Sequence, residues 1–156
     1  MKLDSFLTSA KPCPVHPVSF KALARNPSDG SRQIADVKAV MVLVDDEERS
    51  SGVKDSILYL RDKFSVKNGK GEVTEYLEVP RDEILHEETL QTLAVALRDA
   101  DDPSERFCSA AQLRKAVTTK TLAYLLEEYN RFLTNEFPSR PTAEQMRKLT
   151  QEAEGK

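Results

Sequence analysis

The chain has 156 residues, of which 31% are charged, and this length is enough for one domain with a buried core. Its mean hydropathy of −0.52 describes a polar chain that still holds enough apolar residues to fold. A formal net charge of −3 disfavours a protein whose main task is to hold a phosphate backbone, so nucleic acid is an unlikely partner.

The sequence contains neither a signal peptide nor an apolar run of the roughly 20 residues that a membrane span needs. Its most continuous apolar run, residues 37–44, is short and is interrupted by Lys38. We therefore expect a cytoplasmic protein without a membrane partner. Its two cysteines, Cys13 and Cys108, are expected to be reduced thiols, although the sequence leaves a disulfide between them open.

Residues 1–18 are predicted to form an extended N-terminal arm. Leu3, Phe6 and Leu7 can make one helical turn, and the three prolines that follow favour extended backbone. Further on, residues 26–30 have the sequence NPSDG, in which each residue type favours a turn.

The stretch 31–48 can be interpreted in two ways. Val37, Val40 and Val44 fit one face of a helix, whereas the run VKAVMVLV also suits a buried strand. We favour the helix, because capping residues lie just upstream and the polar lead-in is long for a strand. The acidic run 45–48 would then be the frayed, solvated end of that helix.

A β-hairpin is predicted near residues 63–79, where two strand-like segments flank the turn sequence NGKG. Basic and aromatic side chains alternate around it, a combination that can follow a single strand of nucleic acid. Lysines at hairpin tips also protect sheet edges from aggregation, and we favour that interpretation. The side chains concerned are Tyr59, Arg61, Lys63, Phe64, Lys67, Lys70 and Tyr76.

Beyond Pro80 the chain is predicted to be helical. Asp82 is expected to cap a helix that ends near the acidic turn at residues 99–102. Two further helix starts are expected, one where Asp102 precedes a proline and one at the Ser-x-x-Gln capping box that begins at Ser109.

The strongest pattern in the chain lies between residues 109 and 137. Thr118 and Thr119 interrupt it, and Pro138 is expected to end it. A last short helix is expected to begin near Thr142. The apolar stripe of the long helix recurs at the three-and-four spacing of one helix face and consists of Leu122, Leu125, Leu126, Tyr129, Phe132 and Leu133.

These elements predict a mainly α fold of the α+β class. We expect a single helical domain at residues 19–138 that carries the small β-hairpin. The extended arm precedes this domain, and a C-terminal tail at residues 139–156 with a short helix follows it.

No arrangement of residues predicts an active site or a metal centre. Cys13 and His16 form half of a zinc-site pattern, but completing it would need His86 and Cys108, which lack paired spacing. The sequence also lacks a Gly-rich phosphate loop, a nucleophile elbow and an H-E-x-x-H motif. We therefore expect a binding protein with no cofactor, rather than an enzyme.

The late helix resembles one found in the small tail assembly chaperones of long-tailed bacteriophages. The shared pattern is L-x-x-L-L-E-x-Y-x-x-F followed shortly by proline, here residues 122–132, LAYLLEEYNRF, and then Phe137 and Pro138. A proline-bearing arm with a short β element and a helical body with an acidic turn also fit that family. Because Gly155 and Lys156 can be encoded by a slippery codon run, the frameshifted longer form known in this family stays open.

This resemblance implies a non-enzymatic chaperone or adaptor in the cytoplasm of a bacterial host. It would bind the helical tape-measure protein and the tail-tube protein during tail assembly. The expected partner-binding residues are Tyr129, Phe132 and Phe137 at the end of the long helix, with Met146 and Leu149 in the tail. Two alternatives are a structural virion component, such as a head–tail connector or tail subunit, and a small nucleic-acid-binding regulator. Homo-oligomerisation is left open.

Overall fold

The computed structural model describes residues 2–7, 12–137 and 143–154, and it has the predicted α+β class with more helix than strand. In chain order the elements are α1 Lys2–Leu7, β1 His16–Arg25, β2 Arg32–Met41, α2 Asp46–Ser50, α3 Val53–Lys63, β3 Ser65–Lys67, β4 Val73–Tyr76, α4 Arg81–Ala96, β5 Leu97–Arg98, α5 Ala110–Ala116, α6 Thr119–Glu136 and α7 Ala143–Glu154.

The largest β element is the antiparallel hairpin of β1 and β2, ten residues in each strand, with β5 paired to the end of β2. The predicted turn at residues 26–30 connects the two strands and is confirmed. Asn26 and Asp29 each accept a hydrogen bond from the backbone N–H two residues on, at 2.8 and 2.9 Å. Gly30 takes a positive φ of 72°, which a residue without a side chain adopts easily.

The helix favoured for residues 31–48 is wrong, because most of this stretch is β2. Val37, Ala39 and Met41 alternate toward the core, while Asp36 and Lys38 face solvent, which is the two-residue period of a half-buried strand. The β-branched valines also favour a strand, where their stiff side chains pack well.

The predicted fraying of residues 45–48 is also wrong. Asp45 caps the N-terminus of α2 by accepting a hydrogen bond from the N–H of Glu48 at 2.7 Å. The acidic run therefore lies at the helix end whose dipole favours negative charge.

The N-terminal arm is shorter than predicted, because β1 already begins at His16 and Val18 is buried in the sheet. The helical turn expected near Leu3 is present as α1. Residues 12–15 have no regular secondary structure, as their prolines predict, and residues 8–11 lie outside the described part of the chain.

The second hairpin is confirmed, with β3 antiparallel to β4 and a register shift between Val66 and Lys67. Two of the predicted helix starts need correction. Asp82 lies within the first turn of α4 instead of capping it, and Pro80 occupies the cap position. Asp102 begins no helix: it accepts hydrogen bonds from the backbone N–H and the hydroxyl of Ser104 in a turn, at 3.1 and 2.6 Å.

The remaining helix predictions are confirmed. Ser109 and Gln112 form a reciprocal capping box at the start of α5, and the helical pattern is interrupted at Thr118. The structure adds that Thr118 is the N-cap of α6. Helix α7 carries Met146 and Leu149 as expected. Pro138, Thr142 and the predicted domain boundary at residues 138–139 lie outside the described residues.

Helix α4 runs through the centre of the core, and its second half is buried on nearly every side. It packs against α3, α5 and α6, while the sheet closes the core from the side of β1. Burial of these apolar side chains is the main driving force for the fold. The largest side chains that are fully buried are Met41, Leu90, Leu93, Leu97, Leu113, Leu125 and Val95.

Candidate partner-binding site

A buried polar network fixes α3 and α5 against α4. Glu87 of α4 is only 2% exposed, and its carboxylate accepts two hydrogen bonds from Arg114, at 3.0 Å from Nε and 2.6 Å from Nη2. Ser56 of α3 also donates its hydroxyl to Glu87 at 3.0 Å and accepts from the amide of Gln91 at 2.8 Å. Because the charge is paired in a two-point geometry, the network is fully satisfied.

On the other side of this ion pair, the guanidinium of Arg114 lies 3.7 Å from the centre of the Tyr59 ring. The Tyr59 ring thus covers one face of the guanidinium, while the Glu87 carboxylate binds its edge. Both oxygens of Glu87 are engaged, so its carboxylate has the surroundings of a structural ion pair and not those of a general base.

The network forms part of the wall of a groove between α3 and α4, hereafter the α3–α4 groove, with a volume of about 340 Å³. Val53 and Ile57 lie one helical turn apart on α3 and face Ile84 of α4, with Leu60 buried at the base. The groove is lined by Arg49, Val53, Ser56, Ile57, Leu60, Ile84, Glu87, Glu88 and Gln91.

A second and wider groove, of about 620 Å³, lies where α2, α4 and α6 meet. Its apolar wall includes Leu85 and Leu126, while carboxylates stand at its lip, so we call it the acid-lipped groove. It shares Arg49 and Glu88 with the α3–α4 groove. The residues that line it are Val44, Asp45, Asp46, Arg49, Leu85, Glu88, Thr89, Thr92, Leu126, Tyr129, Asn130 and Leu133.

The structure separates the five predicted partner-binding residues into two groups, and for two of them the prediction needs correction. Tyr129 and Phe132 are buried in the core, so the folded chain leaves a partner very little of either side chain to contact. The small exposed part of Tyr129 belongs to the wall of the acid-lipped groove. The Tyr129 hydroxyl accepts a hydrogen bond from the N–H of Val44 at 3.3 Å, and the Phe132 ring stacks on His16 at 5.4 Å. The helix stripe that suggested binding instead fills the core, as most amphipathic stripes do.

The other three residues are exposed: Phe137 at the end of α6, and Met146 and Leu149 on α7. Met146 and Leu149 lie three residues apart and therefore share one face of α7. The structure does not bring them into either groove as lining residues. They remain candidates for partner contact.

Sequence analysis missed the groove residues Val53, Ile57 and Ile84. The spacing Val53, Ile57 and Leu60 is a helical signal that could have identified α3. What the spacing does not reveal is that Leu60 is buried whereas Val53 and Ile57 stay exposed, because that depends on how α3 tilts against α4.

Two of the four basic side chains around the second hairpin are paired with carboxylates of the neighbouring helices. Lys63 pairs with Glu83 at 3.1 Å, and Lys67 pairs with Asp62 at 2.7 Å. A phosphate backbone would have to compete with these carboxylates for the lysines. This arrangement supports the edge-protection interpretation over the nucleic-acid one.

Of the four residues considered as metal ligands, His16 contacts Glu128 at 3.0 Å, and both cysteines are free thiols. Within residues 2–7, 12–137 and 143–154, no group of three or more His, Cys, Asp or Glu side chains is placed to hold a metal ion. In the same ranges, no helix combines the length and apolar content needed to cross a bilayer.

We expect the two thiols to differ sharply in reactivity. Burial raises the pKa of Cys108 to about 11, so at pH 8 only about one molecule in a thousand carries the reactive thiolate there. Cys13 is exposed on the N-terminal segment. Iodoacetamide at pH 8, followed by peptide mass spectrometry, should label Cys13 first and Cys108 only slowly. Equal labelling rates in the folded chain would contradict the placement of Cys108.

Three comparisons bear on this site, and all are negative: no protein-family model, no curated protein and no solved structure matches the chain.

Proposed function

We propose that the protein is a non-enzymatic assembly chaperone or adaptor that binds an amphipathic helical segment of another protein. The observation that supports this most is the α3–α4 groove, in which Ile57 is 52% exposed and Val53 and Ile84 are also open to solvent. An apolar groove of this shape accepts the apolar face of a helix, with anchors spaced three and four residues apart.

The groove also has the features that give a helix-binding site its specificity. Arg49 and Glu88 stand at its edge with opposite charges, which would favour one direction of a charged partner helix. The Glu87 network holds α3 and α4 at a fixed separation, so the site is formed before the partner arrives and less binding energy is lost to ordering.

The identity of the partner follows from the resemblance to phage tail assembly chaperones. In that proposal the groove covers apolar faces of the tape-measure protein and keeps them from aggregating, and the protein also brings in tail-tube subunits. Phe137, Met146 and Leu149 would extend the contact surface. The work would take place in the cytoplasm of the bacterial host.

Co-expression with a phage tape-measure protein, the partner that the proposal names, tests it. The wild-type chain should keep the tape-measure protein soluble and co-purify with it, whereas Ile57→Glu and Ile84→Glu should each reduce recovery at least about tenfold, the size of a hot-spot loss. Leu58→Glu is the matched control, because Leu58 is the next residue on α3, is 54% exposed and does not line the groove.

Two results would overturn the proposal. One is a soluble tape-measure protein that never associates with this chain, and the other is an equal loss of binding in Leu58→Glu. Circular dichroism of each variant separates lost binding from lost folding, and we expect all three variants to fold because the three positions are exposed.

A structural virion component is the second candidate. The observation in its favour is the long β1–β2 hairpin, which extends past its pairing with β5 and offers a surface for contact between subunits. Mass spectrometry of purified virions distinguishes the two: a chaperone leaves the finished particle, and a connector or tail subunit remains in it at a fixed copy number.

A further inference from the structure

The outer part of the β1–β2 hairpin carries an unexplained apolar pair on its solvent side. β5 pairs only with Val40 and Met41 of β2, so the outer part of the hairpin is a two-stranded ribbon. There Leu23 lies directly opposite Ile34, and Ile34 is 70% exposed, the largest exposed fraction among the large apolar side chains described. Such a cross-strand pair stabilises the ribbon modestly, and the apolar surface that it leaves in solvent can be covered by a partner.

The charges around this pair are mainly positive. Arg25 lies opposite Arg32 in the register, and like charges in directly opposed positions destabilise a ladder. Lys21 and Asp36, on the other side of the apolar pair, form an ion pair at 3.3 Å. Arg25 donates a hydrogen bond to the carbonyl of Gly30 at 3.3 Å, and within the described part of the chain neither arginine forms an ion pair. An external carboxylate would relieve the repulsion between the two arginines. We call this surface, formed by Lys21, Leu23, Arg25, Arg32, Ile34 and Asp36, the ribbon face.

The acid-lipped groove has the complementary chemistry. Its apolar wall contains Leu85, which is exposed, together with the half-buried Leu126 and Leu133. Asp45, Asp46 and Glu88 stand at its lip, and the Asp46 side chain is 99% exposed. Arg49 also lines the groove and pairs with Asp46 at 3.5 Å, so three carboxylates stand against one cation among the lining residues. An apolar pair flanked by arginines thus meets an apolar wall flanked by carboxylates.

The two surfaces cannot meet within one molecule. Ile34 and Met41 lie seven residues apart along β2, which is about 23 Å at 3.3 Å per residue. The groove begins still further along the chain, at Val44. The ribbon face therefore lies near the start of β2, and the groove lies past its end.

We propose that the ribbon face of one copy docks into the acid-lipped groove of a second copy. The contact joins two different surfaces, so it is head-to-tail, and each copy keeps one free ribbon face and one free groove. Repetition of such a contact gives a closed ring or an open filament, depending on the rotation between copies. This self-assembly is independent of the α3–α4 groove, except that the two grooves share Arg49 and Glu88.

Sedimentation velocity of the full chain over a concentration series tests the proposal. The wild type should associate, and more weakly as salt screens the arginine–carboxylate pairs. Ile34→Asp on the ribbon face and Leu85→Asp in the groove should each raise the dissociation constant at least about tenfold. Leu58→Asp, a similar change at an exposed position outside both surfaces, should associate like the wild type.

Mixing the two defective variants gives the decisive result. The Ile34→Asp copy still has an intact groove and the Leu85→Asp copy an intact ribbon face, so an equimolar mixture should form a heterodimer that cannot grow further. A symmetric contact between identical surfaces would not be rescued in this way.

Three outcomes would overturn the proposal: a wild type that stays monomeric at high concentration, assembly that survives Ile34→Asp, or a mixture that gives no heterodimer. If Met146→Asp abolishes assembly while Ile34→Asp still assembles, α7 of the second copy occupies the groove. That result also overturns the proposal. Loss of tape-measure binding in Ile57→Glu is a separate result and leaves this contact unaffected.

Discussion

Replacing Glu87 with glutamine should lower the free energy of unfolding by about 3 kcal/mol, toward the lower end of the range for breaking a buried ion pair. The change leaves the guanidinium of Arg114 without its carboxylate and replaces one of the two acceptor oxygens by an NH2 donor, so at least one hydrogen bond from Arg114 or Ser56 is lost. Arg114 keeps some access to solvent, which moderates the loss. Equilibrium unfolding in urea, followed by far-ultraviolet circular dichroism, measures the difference.

Glu83→Gln is the matched control for this prediction. Glu83 lies one helical turn before Glu87 on α4 and pairs with Lys63, but this pair is accessible to solvent. Surface ion pairs contribute little, so the control should lose less than about 1 kcal/mol. Equal losses in the two variants would show that the Glu87 network has no special role in holding the helices together.

A double-mutant cycle with Arg114 gives further detail. If Glu87 and Arg114 act as a pair, replacing Glu87 by Gln and Arg114 by Met together should cost less than the sum of the two single losses, because the double variant leaves no unpaired charge. The network also sets the distance between α3 and α4. We therefore expect Glu87→Gln to weaken helix binding in the α3–α4 groove, whose wall includes Glu87.

The parts of the fold that the sequence predicted correctly are those specified by local chemistry. The capping box of Ser109 and Gln112 and the turn at residues 26–30 both depend on side chains that bond to neighbouring backbone atoms. Such contacts need no information from the rest of the chain. For the same reason the position of the second hairpin was predicted correctly.

The errors occurred where tertiary contacts decide between local alternatives. Residues 37–44 fit a helix and a strand about equally in sequence, and pairing with β1 over ten residues selected the strand. Once β2 is a strand, the acidic run after it can start α2 instead of ending a helix. Both errors thus have one cause. The strand that pairs with β2 lies before the turn at residues 26–30, and the local propensity of residues 31–48 does not reveal that pairing.

For the candidate site, too, the sequence predicted the local feature but not the outcome of tertiary packing. The sequence predicted a protein-binding role from amphipathic surface, but it assigned that surface to the stripe with the strongest periodicity. The strongest stripe fills the core, because burying it gains the most free energy. The groove is lined instead by the weaker pattern of α3, whose outer residues remain in solvent. Exposure at the end of folding depends on packing between helices, which periodicity alone does not encode.

Phe132→Ala and Phe137→Ala should therefore behave in opposite ways, although the two residues lie five positions apart and were predicted to share one role. Phe132 is 4% exposed, packs in the core and stacks on His16, so its removal leaves a cavity and should cost about 3–5 kcal/mol of stability. Phe137 is 66% exposed, and its replacement should change stability by less than about 0.5 kcal/mol.

Urea unfolding of the two variants measures these losses, and co-purification with the tape-measure protein measures binding. Phe137→Ala should stay fully folded and lose part of its binding if the end of α6 contacts the partner. Phe132→Ala should lose binding only in proportion to the fraction of molecules that is unfolded. Lowering the temperature should refold the variant and restore its binding. A stable Phe132→Ala protein that fails to bind would mean that Phe132 is exposed in the active form. The core would then have to open for function, and the proposal of a preformed groove would be wrong.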